Sequence, residues 1–311
     1  MPKHSRPAAP SLVVTLGRLG LEGPGAKHSA RLFSQPKRLG VLLYALLSQR
    51  GGAITREKLI GVFWPESDAS RARNALRQTL SFLRTVLGTD VIASVGAAGV
   101  AVSGALDCDA VRFESLLDAN RKEEALRIYG GDFLPGFYID GVQVFSEWLD
   151  ARRRHLGQRA AKAAWDLSAE CEARADAVNA AFWAKRALAL SPFSESEVLR
   201  ALRLLSRVGD YTGALRAFHG LQQSLLREFG AAPSAETARL AAEIMDRVQS
   251  SGQTVPALLG TRRLGTERRV TARRRKKLPW TGAERRILED RRKGERRTGR
   301  DRRAVRKAGD E

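Results

Sequence analysis

The chain has 311 residues, with 54 Lys and Arg against 34 Asp and Glu, a formal net charge of +20. Hydrophobic residues make up 43%, enough for a sizeable core, so the chain is not disordered throughout. Its two cysteines, Cys108 and Cys171, exclude a disulfide scaffold and a Cys-rich metal domain, and fit a reducing compartment.

The charge is uneven. Residues 251–311 hold 21 Lys and Arg and 8 Asp and Glu, whereas residues 1–250 hold 33 and 26, so the pI says little about what the folded part binds. The longest apolar run, Leu39 to Leu47, is half a membrane span. No apolar block of signal-peptide kind follows the basic N-terminus. The expectation is a cytoplasmic, nucleoid-associated protein with no membrane partner.

In chain order, residues 1–11 are polar, contain three prolines and read as disordered. Leu12, Val14 and Leu16 alternate, and after Gly17 the pattern resumes at Leu19 and Leu21, which predicts a short hairpin or two edge strands. Gly20 to Lys27 superficially suggests a phosphate loop. Ala26 separates the glycine from Lys27 and no Ser or Thr follows the lysine, so it reads as a plain loop between strands. Pro36 opens a helix carrying Leu39, Leu42, Leu43, Leu46 and Leu47, ended by Gly51-Gly52. Thr55 caps a second helix with Leu59, Ile60 and Phe63, closed by Pro65. Ser67 or Asp68 caps a longer third helix that stops at Gly88. Val91–Val95 and Val100–Val102 flank a Gly96–Gly99 turn and read as a last hairpin. Strands, three helices and a hairpin over residues 12–105 are the order of a winged helix-turn-helix.

From Asp109 to Arg247 the periodicity is helical throughout. Phe113, Leu116 and Leu117 share one helix, 124–129 the next, and Phe145, Trp148, Leu149, Arg152 and Leu156 a third. Further helices are predicted at 158–172, 175–190, 194–207, 211–228 and 235–248, with turns at Ser191-Pro192, Gly209-Asp210, Gly230 and Pro233-Ser234. Paired helices with Ala187 and Ala214 at crossings are tetratricopeptide-like and define a second domain at 107–248. Residues 249–311 form an Arg-rich tail in which Glu284-Arg285-Arg286 and Asp290-Arg291-Arg292 repeat as Glu295-Arg296-Arg297 and Asp301-Arg302-Arg303. The tail reads as disordered, with Arg273, Arg274, Arg275, Lys276 and Lys277 as its densest basic run. The fold class is therefore mainly α: a small β-flanked winged helix-turn-helix, a tetratricopeptide-like all-helical domain and a disordered basic tail.

The third helix carries the most chemistry. At about 100° per residue, Ala72, Leu76, Leu80, Leu83 and Leu87 form one stripe that must face a core. Opposite lie Arg71, Asn74, Gln78, Ser81 and Thr85, flanked by Arg73, Arg77 and Arg84. Arg can bond guanine O6 and N7, Asn or Gln can bond adenine N6 and N7, and flanking Arg can hold phosphates. An ordinary solvent face usually mixes signs, and this one lacks acids beyond the cap. Against DNA contact stand a predicted wing, 91–105, with no Lys or Arg, and Phe82 near the exposed side, which reads as a partner contact instead.

Glu57-Lys58-Leu59-Ile60, Phe63-Trp64-Pro65, Ala72-Arg73-Asn74-Ala75-Leu76-Arg77-Gln78, Leu83-Arg84, Tyr129-Gly130-Gly131-Asp132-Phe133-Leu134, Glu147-Trp148-Leu149, Arg152, Ala187-Leu188-Ala189-Leu190-Ser191-Pro192, Gly209-Asp210-Tyr211 and Gly230-Ala231-Ala232-Pro233-Ser234 keep order and spacing over residues 10–248. On these the chain resembles the SARP-type bacterial transcriptional activators, an OmpR-type winged helix-turn-helix followed by a bacterial transcriptional activator domain. The resemblance implies DNA-dependent regulation, usually activation by recruiting RNA polymerase, with DNA contacts from the third helix. Two departures stand out: Phe82 where members often carry Arg, and a wing, Ala97-Ala98-Gly99-Val100, without the usual Gly-Tyr and basic neighbours. Longer relatives continue into an ATPase module, and none is expected here.

No enzyme and no cofactor is expected. His4, His28, His155 and His219 have no metal-type spacing to the cysteines. Cys108 and Cys171 read as packed thiols, Trp148, Trp165 and Trp183 as packing residues, and Asp132-Phe133-Leu134 as a packed turn. The partners expected are double-stranded DNA, RNA polymerase and a second protomer. Two alternatives stay open: a protein-interaction adaptor with a degenerate winged helix and a peptide-binding helical surface, and RNA binding by the tail, which has only Trp280 for stacking.

Overall fold

The computed structural model describes residues 10–48, 52–190 and 194–250. The predicted 1–9, the Gly51 end of the first helix, the Ser191-Pro192 turn and the tail with Arg273 to Lys277 lie outside them.

Strand β1 (Ser11–Val14) pairs antiparallel with β2 (Gly20–Glu22), with Val13 opposite Leu21. The hairpin is as read, but β1 is central rather than an edge. On its other side β6 (Leu106–Cys108) runs parallel to it, so Val13, Val14, Thr15 and Leu16 are all buried, not every second residue. Residues Gly23–His28 form a 3-10 turn and Ser29–Phe33 a short helix, α1. This corrects the reading of a plain loop between strands. Pro24 at the start of that turn presets φ, and Leu32 anchors α1 in the core.

Helix α2 (Pro36–Ser48) buries Leu39, Leu42, Leu43 and Leu47. Strand β3 (Ile54–Thr55) leads into α3 (Arg56–Phe63), where Thr55 Oγ1 accepts from Lys58 N–H at 3.2 Å as the expected cap. Helix α4 (Ala69–Leu87) is capped by Asp68, whose Oδ1 accepts from Ser70 and Arg71 N–H at 3.0 and 2.9 Å. Strands β4 (Ile92–Val95) and β5 (Gly99–Val102) form the wing hairpin, and β3 adds to β5 to give a second three-stranded sheet.

The helical part begins with α5 (Asp109–Asp118) and α6 (Lys122–Ile128). Helix α7 (Gln143–Ala173) then runs unbroken for 31 residues, where sequence periodicity predicted two helices meeting near Leu156. Gly157 lies inside it and causes no break; a Cβ there would stand 3.7 Å from the Tyr129 hydroxyl, an ordinary van der Waals contact. Helices α8 (Ala177–Leu190), α9 (Glu195–Arg207), α10 (Tyr211–Phe229) and α11 (Ala235–Ser250) follow. Connections of three residues join α7 to α8 and α9 to α10, which makes each pair a hairpin. Ala187 and Ala214 are fully buried at the crossings, as expected. Gly230, at φ 61°, closes α10 in the left-handed conformation that a Cβ disfavours.

The winged and helical parts share one hydrophobic core, which runs from Val13 to Ile244. Rings from both meet in it: Tyr44 and Phe63 on the winged side, Phe145 and Trp148 on α7, with Phe63 and Phe145 centroids 5.2 Å apart and Tyr44 and Trp148 4.9 Å apart. Edge and tilted stacking at such spacings adds about 0.5–1.5 kcal/mol per pair to the area buried. A second seam is polar. Asp109, 3% exposed, accepts from Thr15 N–H, Thr15 hydroxyl, Leu16 N–H and Ala110 N–H at 2.6–2.9 Å. Beyond β1, Gly17 N–H donates to Asp132 C=O and Leu134 N–H to Thr15 C=O, so the 130–134 turn continues the sheet. Gly17 is required there, because a Cβ would sit 2.6 Å from Gly130 O. Both cysteines are free and buried, and burial pushes the Cys108 thiol up to about 12.

Candidate nucleic-acid interface

Helix α4 is long and two-faced. Its core stripe holds Ala72, Leu76, Leu80 and Leu83, with Thr79 and Val86 also buried and Leu87 at the boundary. On the opposite side Arg71, Asn74, Gln78, Ser81 and Thr85 are exposed, as are Arg73 and Arg77. Among the described residues, the structure thus brings seven of the eight candidate readers onto one open surface.

Several of these side chains are already oriented. Arg77 Nη2 donates to Asn74 Oδ1 at 2.7 Å, which fixes the amide and leaves its NH₂ facing outward as a donor. Thr85 hydroxyl donates to Ser81 C=O at 3.0 Å and keeps its lone pairs as acceptors. Arg71 pairs with Asp68 at 3.1 Å, both well exposed, a contact worth little in water. Between α3 and α4 lies an open groove of about 610 Å³, lined by Arg56, Glu57, Ile60, Ser70, Arg73, Asn74 and Arg77.

The eighth candidate, Arg84, is half-buried and belongs to the wing. Its Nε donates to Ile92 C=O at 3.0 Å and its Nη2 lies 3.3 Å from Ser94 Oγ. Arg56 Nη2 reaches the same Ser94 Oγ at 3.1 Å, while Arg56 N–H donates to Ala98 C=O at 2.8 Å. The wing sequence carries no cation, yet two guanidinium groups from α3 and α4 stand on its first strand. Sequence reading missed this, because residues 38 and 10 positions from Ser94 show no pattern along the chain. Phe82 also differs from its reading as a partner contact. It packs against the core, and its ring is covered by Arg38, 4.3 Å from the centroid, and Arg31, 5.6 Å away.

Charge is divided between the two parts. Residues 12–105 hold 12 Lys and Arg against 5 Asp and Glu, and residues 106–250 hold 19 against 21. In the first part, the ion pairs among the described residues are Arg18–Glu22 and Arg71–Asp68. Arg31, Lys37, Arg38, Arg56, Lys58, Arg73, Arg77 and Arg84 have no carboxylate partner there. In the helical part, by contrast, cations are tied up: Glu114 receives Arg152, His155 and Arg159, and Glu172 receives Arg200 and Arg207. Of these two parts, an excess of cations without internal partners leaves a positive potential over the winged one.

Among the described residues, no group of three or more His, Cys, Asp or Glu is placed to hold a metal ion. No helix among them is long and apolar enough to cross a membrane.

Residues 108–245 match the family model of the bacterial transcriptional activator domain. Among solved structures, the chain is similar to Mycobacterium tuberculosis EmbR in complex with a low-affinity phosphopeptide, at 19% identity and a TM-score of 0.49. That similarity covers 76% of this chain and 65% of the other, so the chain spans less than two thirds of the length of that protein. A search of curated proteins gave no match.

Proposed function

We propose that this chain, whose residues 108–245 match the family model of the bacterial transcriptional activator domain, is a DNA-binding transcriptional regulator that reads a major groove with α4. The observation that carries the reading is the open face of that helix: Arg, Asn, Gln, Ser and Thr side chains with no carboxylate among them after the cap. Hydrogen-bond donors and acceptors on a cationic helix are what base edges between two phosphate walls select for. Arg71, Asn74, Gln78, Ser81 and Thr85 are the groove-facing group, Arg73 and Arg77 sit on the flank toward α3, and Arg84 with Arg56 takes phosphate beside the wing. Activation, RNA polymerase as the partner of the helical part, a second protomer and a cytoplasmic site complete the proposal as its finer parts. The basic tail adds nonspecific attraction through its charge.

The test is selection of duplexes from a random-sequence pool by the chain, followed by anisotropy titration of variants on the enriched sequence. Gln78→Ala is expected to weaken binding by about 1–3 kcal/mol and to relax preference at the position it reads, whereas Arg77→Ala, on the phosphate flank, is expected to weaken binding across sequences and to lower the salt slope by about 0.9. Enrichment of no sequence would leave the adaptor reading, with the helical surface as its working part.

A further inference from the structure

A helix lying in a major groove about 12 Å wide has a sugar-phosphate backbone on each side of it. Helix α4 is unequally equipped for those two walls by its own residues. Counting about 100° per residue from Asn74, Arg73, Arg77 and Arg84 fall about 60–100° to one side, toward α3 and the wing. On the other side, about 60–80° round, stand Arg71 and Phe82. Arg71 stands at the N-terminal end of the helix beside Asp68, and Phe82 has no charge. Taken alone, the helix would face one phosphate wall with three guanidinium groups and the other with one guanidinium and an aromatic ring.

The tertiary structure fills that side from elsewhere. Arg31, on α1, and Arg38, in the first turn of α2, lay their guanidinium groups over the Phe82 ring at 5.6 and 4.3 Å from its centroid. Neither has a carboxylate partner among the described residues, and the sequence has no Asp or Glu between Glu22 and Glu57. Arg31 is exposed and Arg38 half-buried. A guanidinium stacked on an aromatic face keeps its in-plane N–H donors free at the edge, where a phosphate oxygen can accept them. Stacking also removes rotamer freedom beforehand, so less is lost on binding.

We infer that Arg31 and Arg38, stacked on Phe82, form a second phosphate clamp that grips the backbone on the side of α4 opposite Arg73, Arg77 and Arg84. Phe82 is a positioning residue in it, acting through the two arginines. The clamp rests on the groove-reading role of α4 proposed above. It adds that the binding surface extends beyond that helix onto α1 and α2, and that its ligand on that flank is backbone phosphate and not a base edge.

The experiment is a salt series of anisotropy titrations with the full chain on a duplex it enriches from a random pool. Each phosphate contact contributes about 0.9 to the slope of log affinity against log salt, so the double variant Arg31→Gln with Arg38→Gln should lower that slope by about 1.8. The enriched sequence should stay unchanged, and the thermal midpoint should fall only slightly, through the lost contacts of Arg31 and Arg38 with the Phe82 ring. Phe82→Leu, which keeps apolar volume but removes the ring face, should lose part of the same slope, and Phe82→Tyr should retain it. A wild-type slope in the double variant overturns the clamp while leaving α4 as the groove reader. A lowered slope in the double variant but not in Phe82→Leu overturns the positioning role of the ring. A wild-type chain that enriches no sequence overturns the groove reading, and the clamp with it.

Discussion

Asp109 is a carboxylate with almost no access to water, yet each of its oxygens is met by donors from a strand 93 and 94 residues away. The cost of burying its charge is offset by hydrogen bonds made to the charged form, which are stronger than neutral ones. The same carboxylate leaves no alternative partner for Thr15 and Leu16 N–H once it is gone. Asp109→Ala is therefore expected to destabilise the chain by about 3–5 kcal/mol in urea unfolding, with Asp109→Asn in between because it keeps one acceptor oxygen. A loss within the scatter of surface substitutions would mean that water takes over those donors. Arg153 plays a comparable part nearby, donating to the carbonyls of Phe133, Leu134 and Phe137 and so holding the turn in which Leu134 sits at φ 48°.

Helix α4 carries both a packed apolar stripe and an open polar face. Its start is fixed by Asp68, whose carboxyl is held below its ordinary value of 3.8, first by the Arg71 N–H and then by the Ser70 hydroxyl. A carboxylate with a depressed folded value stabilises fully above 3.8, and that contribution is lost as pH falls through the folded value. Amide protection at Ser70 and Arg71 should accordingly fall on acidification below about pH 3.8, before the helix centre loosens. Asp68→Asn, whose amide oxygen still accepts, should remove that dependence. Protection that does not change with pH in the wild-type chain would show that the cap carries no weight. Along the helix, positions facing inward are Leu, Ala and Val, and one buried polar residue, Thr79, interrupts them. On the outward side, among the described residues, Arg71 meets Asp68 and Arg77 meets Asn74, all of them exposed side chains.

Across the whole molecule, the winged part is not a bead on a string. Phe63 and Tyr44 stack on Phe145 and Trp148, and the sheet of β1 ends against the 130–134 turn of the helical part. Truncating the fully buried Phe145 to Ala should cost about 3–5 kcal/mol. It should also lower hydrogen-exchange protection in α2 and in α8 to α10 by the same amount, because both parts open in one cooperative event. Loss confined to one part would separate them into independent units. Joined in this way, the winged and helical parts share one core, with no flexible linker between them among the described residues.

Much of this was legible along the chain. Caps at Thr55 and Asp68, the stop at Gly88, the wing strands and the amphipathic division of α4 depend on neighbours within a few residues, and spacing alone exposes them. The bacterial transcriptional activator domain is likewise written in order and spacing, and residues 108–245 match it. What the linear pattern could not give are contacts between distant residues. Helix α7 runs unbroken through Gly157, and β1 became a central strand because β6 joins it 95 residues later. Arg56 and Arg84 meet on Ser94, and Arg31 and Arg38 meet on Phe82, without any shared period. The sequence by itself determined the elements and the chemistry on the face of α4, since helical and strand periods sort side chains locally. The tertiary structure alone decided which cations flank that face, since only a closed core brings side chains from separate helices onto one ring or one hydroxyl.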